Sequence, residues 1–209
     1  VSFFEEIHRA ISKEPADAFD PEVLGIASAL GIRKGQPFSP DGPQREKFEE
    51  AAATASAYAR AVAFAPRNPA AYLYGEENSK WFTLFPEWDY RFLVDDGAGG
   101  TDMDSRLAFF YVATVNAPAV VWRIPGVGSQ YAIIARDANG EWFDGEKTYT
   151  LRIPANVPAK NFWSFVVYDP QTRSMLQTPD QKFPSVNSMR EDLRTDAAGS
   201  GLLTIGPQQ

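Results

Sequence analysis

The chain has 209 residues, a formal net charge of -7 and a sequence pI near 4.8, and 13% of its residues are aromatic. This acidic balance, without any basic cluster, argues against a nucleic-acid partner held by phosphate neutralisation. There is no cysteine and only one histidine, His8, which excludes disulfides, thiolate catalysis, Cys-based zinc sites and histidine-rich metal sites. The sequence also predicts no transmembrane segment, because no apolar run approaches the ~20 residues of a membrane span.

The first part of the chain is predicted to be helical, over residues 1–64. Asp20-Pro21-Glu22 is a strong helix start, with Asp as N-cap and Pro in the first turn, and Gly31 is well placed to end that helix. A proline- and glycine-rich loop follows over residues 35–43, and a long helix is predicted from about residue 44 to 64. Its small apolar residues would permit close packing on a neighbour.

The middle of the chain, residues 70–100, is aromatic and irregular, and Gly97 to Gly100 form a break rich in glycine. A short helix is predicted from Asp102 to about Val115, with Leu107, Phe110, Tyr111 and Thr114 on one face.

The remainder of the chain is predicted to be β, which gives an α+β order with helices first and an antiparallel sheet after them. Asp144–Asp169 would supply two strands at the centre of this sheet, in a meander that returns after a turn at Asp169-Pro170. Hairpin-type turns are expected at residues 137–140 and 197–201. The predicted strands are Val120–Ile124, Tyr131–Arg136, Tyr149–Ile153, Phe162–Tyr168, Arg173–Thr178 and Leu202–Ile205.

Several spaced motifs in this second half resemble the DUF1214 domain over about residues 100–206. They are Gly128-Ser129-Gln130-Tyr131, Asp144-Gly145 with Thr148-Tyr149, Arg152 to Lys160, Phe162-Trp163-Ser164, Val167-Tyr168-Asp169, Thr172 to Leu176 and Pro184 to Ser188. The resemblance implies a jelly-roll-like β-sandwich at residues 100–209, preceded by a helical and aromatic-rich lead-in segment at residues 1–99. It implies no activity.

Proteins of this kind are bacterial, many are exported, and the domain usually follows a β-rich DUF1254 domain. We therefore expect a periplasmic or secreted protein, although no signal peptide is visible in the residues given. The DUF1254 region and a final tryptophan-containing segment have no counterpart here, so the resemblance suggests a chain truncated at both ends. The strand edge near Leu202–Ile205 would then be exposed unless another chain covers it.

One candidate site is a calcium site at Asp95, Asp96, Asp102 and Asp104, which bracket the glycine-rich break. Oxygen-rich loops of this kind can bind calcium, but the spacing lacks the rest of an EF-hand. The alternative is that Asp102 is the N-cap of the following helix.

A second candidate is a polar pocket between the short helix and the sheet, lined by Asp102, Arg106, Tyr111, Arg123 and Tyr131. Such residues could bind an anionic or hydroxylated ligand, whereas the alternative makes both tyrosines ordinary core residues. Two tryptophans flanked by acidic residues, Trp88 and Trp142, are the best candidates for stacking on sugar rings.

Paired carboxylates for glycoside hydrolysis are available among Asp89, Asp95, Glu141, Asp144 and Glu146, with a separation that sequence does not supply. The absence of a nucleophile motif such as G-x-S-x-G favours a module that binds a small molecule or carbohydrate, forms a homo-oligomer or pairs with a DUF1254 part. A carboxylate-based hydrolase is the alternative, and a third reading places the site mostly in segments outside this chain. Whether the protein is an enzyme is left open by the sequence.

Overall fold

The structure is a computed structural model that describes residues 2–86, 90–94, 99–121, 124, 126–128, 130–178, 183–190 and 193–207. The chain divides into two compact units, Val1–Tyr58 and Ala59–Gln209. The predicted boundary between a lead-in segment at residues 1–99 and a β-sandwich at residues 100–209 stays a prediction.

The first unit contains helices α1 (Ser2–Lys13) and α2 (Pro21–Ala29), a 3-10 turn at Ala16–Ala18, and the start of helix α3 (Gly42–Phe64). Asp20 caps α2 by accepting a 2.8 Å hydrogen bond from the backbone N–H of Glu22. Gly31 (φ +83°) follows the C-cap of this helix, and the Ile32 N–H bonds back to the Ala27 carbonyl at 2.9 Å. The predicted start and end of α2 are therefore confirmed. The core of this unit consists of Phe4, Ile11, Ala27, Ile32 and Phe48.

The second unit is built around Phe82, whose side chain is 1% exposed. Phe82 forms antiparallel bridges with Tyr72 on one side and Ile133 on the other, and it exchanges two 2.8 Å backbone hydrogen bonds with Ile133. Helices α4 (Met103–Ala113) and α5 (Pro118–Val121) and a 3-10 turn at Pro69–Ala71 complete this part of the unit. Its core consists of Val62, Ala63, Phe82, Leu84, Phe92, Ala108, Phe109 and Val121.

Two small antiparallel sheets follow in the described residues. Strand β1 (Tyr149–Ile153) pairs with β4 (Gly201–Ile205), and β2 (Ser164–Val166) pairs with β3 (Ser185–Asn187). The chain also returns after the turn at Asp169, where Tyr168 and Met175 form a bridge. The predicted strands that correspond to β1 and β4 are confirmed, and so are the two hairpin-type turns: Gly140 N–H bonds to Asp137 O at 3.0 Å and Gly199 N–H to Asp196 O at 2.9 Å.

Several sequence predictions in this unit are wrong or too long. Residues 120 and 121 are helical in α5, because their N–H groups both bond to the Ala117 carbonyl at 2.9 and 3.0 Å, and this local turn overrides the β preference of valine. The predicted strand Tyr131–Arg136 is reduced to bridges at Ile133 and Arg136. Asp144–Asp169 is not a sheet centre, since β1 and β2 lie in different two-stranded sheets.

The predicted α+β order, with helices N-terminal and a few antiparallel strands after them, is confirmed. The described strands form only two-stranded sheets, and the jelly-roll-like sandwich stays a prediction. Across the described ranges, no helix combines the length and apolar character that a membrane span requires.

Candidate functional site

Asp102 connects the start of helix α4 to the 3-10 turn at Pro69–Ala71. Its Oδ1 accepts a 2.9 Å hydrogen bond from the Ser105 N–H, and its Oδ2 accepts bonds from Ser105 Oγ at 2.6 Å and Asn68 Nδ2 at 2.9 Å. Asn68 in turn accepts a 2.9 Å bond from the Ala70 N–H, which starts the 3-10 turn. The alternative role of Asp102 as N-cap is thus confirmed, and the same carboxylate joins two elements.

The environment of Asp102 keeps this carboxylate ionised. Burial raises its pKa, but hydrogen bonds from the Ser105 side chain and N–H, from Asn68 and from the Asp104 N–H outweigh burial, and the net pKa is lowered. A carboxylate with a lowered pKa is a poor proton donor at neutral pH, so Asp102 fits a structural anchor better than a general acid.

A cavity of about 10 Å³ lies beside this network. The Arg67 side chain closes one side of it by donating from Nε to Asp104 Oδ2 at 2.7 Å. Its lining residues are Val62, Pro66, Arg67, Asn68, Ala71, Thr83, Leu84, Asp104, Ser105 and Ala108. Such a volume holds about one water molecule, whereas pockets for drug-sized ligands start near about 300 Å³.

Tyr111, another predicted pocket residue, packs against groups that already occupy its ring and hydroxyl. The hydroxyl donates to the Pro170 carbonyl at 3.4 Å, and the guanidinium carbon of Arg173 lies 4.7 Å from the ring centroid. Phe64 contacts the ring edge-on, with centroids 6.2 Å apart. These contacts fit the alternative interpretation, in which Tyr111 is an ordinary core residue.

The other predicted pocket residues are placed separately. Arg106 is exposed on helix α4, and Tyr131 is 64% exposed. Arg123 lies outside the described residues. Asp102 is the N-cap of α4, and the ligand-binding role of the set stays a prediction.

The structure describes two of the four proposed calcium ligands. Asp95 and Asp96 lie outside the described residues, while Asp102 and Asp104 are already bonded to Ser105, Asn68 and Arg67. Within the described ranges, no three His, Asp or Glu side chains are close enough to hold a metal ion. Calcium binding stays a prediction.

The carboxylates considered for hydrolysis lie in exposed turns where they are described. Glu141, Asp144 and Glu146 are exposed, and Asp144 Oδ1 accepts a 2.9 Å bond from the Glu146 N–H, as in an ordinary turn. Asp89 and Asp95 lie outside the described residues. The hydrolase alternative stays a prediction.

A hairpin at residues 136–142 brings together two side chains that the sequence reading did not pair. The strands are joined by hydrogen bonds from Asp137 N–H to Glu141 O (2.8 Å) and from Phe143 N–H to Ala135 O (3.2 Å). Arg136 and Trp142 face each other between these two hydrogen bonds. The guanidinium carbon of Arg136 lies 4.2 Å from the ring centroid of Trp142, which is 51% exposed. Their positions on either side of the predicted turn were the available signal, since cross-strand neighbours interact. Trp88 lies outside the described residues.

Large apolar side chains in the segments beside and between the short strands are exposed. Beyond Val121, Leu203 is the only hydrophobic residue in the described part of the chain that is buried. The exposed large apolar residues of this region, with their exposed fractions, include Phe143 (44%), Phe162 (55%), Tyr168 (56%), Met175 (44%), Leu176 (42%), Phe183 (73%) and Met189 (74%).

The fold and the site define a mixed α+β protein in which helices precede a few short antiparallel strands. Residues 128–209, about two-fifths of the chain, match the family model DUF1214, described as a protein of unknown function. The resemblance to DUF1214 is confirmed over those residues, while the DUF1254 partner and the truncation stay predictions.

One similar solved structure is the crystal structure of the VPA0106 protein from Vibrio parahaemolyticus. It is 16% identical to this chain, with a TM-score of 0.41 over 98% of this chain and 44% of that one. The chain therefore spans less than half the length of that protein. No curated protein sequence matches the chain.

Proposed function

We propose that the region matching DUF1214 is an assembly module through which the chain pairs with a second copy of itself. The observation that carries this proposal is the exposure of large apolar side chains in the segments that flank the β2–β3 sheet, including Phe183 (73%) and Met189 (74%). Full burial of a side chain of this size contributes about 1.5–3 kcal/mol. Monomeric proteins rarely leave large contiguous apolar surfaces in water.

The strand arrangement supports the same proposal. Strands β1 with β4 and β2 with β3 form two-stranded sheets, and two-stranded sheets are marginally stable in water unless another strand or a packing surface is added. A second copy would supply such a surface and bury the apolar side chains. Phe162 and Met189 are suitable probes, because Trp163 and Ser188 beside them exchange hydrogen bonds at 3.1 and 3.0 Å. Both probes therefore lie at the same end of the β2–β3 sheet.

Sedimentation velocity of the full chain over a wide concentration range tests this proposal. We expect a dimer that dissociates on dilution, and we expect the double variant Phe162→Ser, Met189→Ser to weaken the dimer by at least about tenfold. Phe3→Ser, on helix α1 in the other unit and 58% exposed, is the matched control and should leave the dimer unchanged. A monomer at every concentration, or equal effects of the two variants, would refute the proposal.

Carbohydrate binding is a second candidate, favoured by the half-exposed ring of Trp142 and by the tendency of exposed aromatic faces to bind ligands. Retardation of the protein in gels that contain a polysaccharide would test it, and Trp142→Ala should remove any retardation. The jelly-roll-like sandwich and the periplasmic or secreted location stay predictions from the family resemblance.

A further inference from the structure

The Nε atom of Arg136 is a buried donor, and it has no hydrogen-bond partner within the part of the chain that the structure describes. A buried polar group without a partner costs about 1–3 kcal/mol, and more when the group is charged. Native proteins satisfy nearly all such groups, so each exception requires an explanation.

The neighbours of Arg136 do not supply the missing acceptor. The ring of Trp142 covers the guanidinium at 4.2 Å, and this cation–π contact is favourable, but an indole offers no acceptor atom. The Oδ1 atom of the adjacent Asp137 accepts bonds from the N–H groups of Asn139 (2.9 Å) and Glu141 (3.0 Å) within the turn.

A second polar group lies within electrostatic range of Arg136. Burial and the nearby Glu76 raise the pKa of the Tyr72 hydroxyl, and the positive charge of Arg136 partly opposes them. The Tyr72 hydroxyl is therefore protonated at neutral pH and is able to donate a hydrogen bond. The Tyr72 hydroxyl is thus influenced by the positive charge of Arg136 and by the negative charge of Glu76.

Arg136 lies a few residues along the chain from the buried core of the unit. Tyr72 forms a bridge with the buried Phe82, which is bonded to Ile133, three residues before Arg136. Trp142, which covers the guanidinium from the other side, is 51% exposed, so its ring has open solvent into which it can rotate. A small ligand could reach the guanidinium by that movement.

We propose that Arg136, beneath the ring of Trp142, binds the carboxylate group of a small organic acid. A planar carboxylate matches the two parallel N–H donors of a guanidinium, and it would satisfy the Nε atom. The ring of Trp142 then packs against the apolar part of the acid. This binding role is separate from self-association.

Nuclear magnetic resonance of the 15N-labelled full chain tests the proposal at the atom in question. The Arg136 Nε–H cross-peak, assigned through the Arg136→Lys variant or by through-bond correlation, should shift saturably as sodium acetate is added. Sodium chloride at the same ionic strength should leave it in place. Arg152 is the matched control, because its Nε already donates to Asp196 Oδ2 at 3.0 Å and its cross-peak should not move.

A further measurement sharpens the test. Sodium sulfate should shift the Arg136 cross-peak less than acetate does. An unmoved Arg136 cross-peak in the wild-type chain, an equal shift with chloride or a stronger response to sulfate would each overturn the carboxylate site. Because these three results come from the wild-type chain, a variant that fails to fold does not affect them.

Discussion

Replacement of Asp102 by alanine should destabilise the second unit more than the loss of an ordinary surface carboxylate. The carboxylate accepts three hydrogen bonds, from the Ser105 N–H, from Ser105 Oγ and from Asn68 Nδ2. Loss of an N-cap costs about 1 kcal/mol, and each hydrogen bond to a charged group contributes about 1.5–3 kcal/mol. Because Asp102 is only partly buried, solvent screening reduces these values, and we expect a total of about 2 kcal/mol.

The assay is urea unfolding followed by tryptophan fluorescence. All five tryptophans lie at or after Trp81, so the signal reports on the second unit alone. Asp102→Asn should lose about half as much stability, because an amide keeps the acceptor for the Ser105 N–H. Asp104→Ala is the matched control in the same helical turn, and its loss should stay below about 1 kcal/mol since its partner Arg67 is 67% exposed.

The pH dependence gives an independent check. The pKa of Asp102 is lower in the folded chain than its ordinary value, so the unfolded chain binds more protons in that range. The stabilisation is complete above the ordinary carboxyl pKa of about 4 and is lost as the pH falls through the lowered value. The difference between wild type and Asp102→Ala should therefore be constant from pH 7 to 5 and decrease below about pH 4. A difference under about 0.5 kcal/mol at pH 7 would refute the anchor role.

Two further predictions concern other contacts. Lys34 Nζ donates to the Ser12 and Glu14 carbonyls at 3.2 and 2.5 Å, at the end of helix α1. Lys34→Met should therefore lower the free energy of unfolding by about 1 kcal/mol. Lys47→Met, on the exposed face of α3, should leave it unchanged, and unfolding followed by circular dichroism would measure both. A Cβ at Gly206 would lie 2.5 Å from Thr148 Oγ1 beside β1, and one at Gly145 would meet nothing within 4 Å. Gly206→Ala should thus destabilise by about 1–3 kcal/mol and Gly145→Ala should not; equal melting temperatures would contradict this.

Local chemistry in the sequence was sufficient to locate the helix ends. Asp20 and Asp102 act on N–H groups two or three residues away, and Gly31 adopts the left-handed conformation that L side chains resist. Such interactions lie within a few residues of the chain, so one sequence contains both partners. Helices α2 and α4 and the turns at Asp137 and Asp196 were predictable for this reason.

Pairing between distant segments was not predictable in the same way. Phe82 was one aromatic residue among many in an irregular stretch, and only its simultaneous bridges to Tyr72 and Ile133 make it the centre of the second unit. The sequence reading placed that centre in Asp144–Asp169, because a dense apolar run has the same composition whether its side chains are buried or exposed.

The sequence by itself determined the order of helices and strands, the helix caps, the resemblance to DUF1214 and the exclusion of thiol chemistry. Only the tertiary structure decided that the core of the second unit surrounds Phe82, that Asp102 joins α4 to Asn68, and that Arg136 lies beneath Trp142. The physical reason is range: capping and turn geometry act between near neighbours, whereas burial and side-chain pairing depend on which distant segments meet.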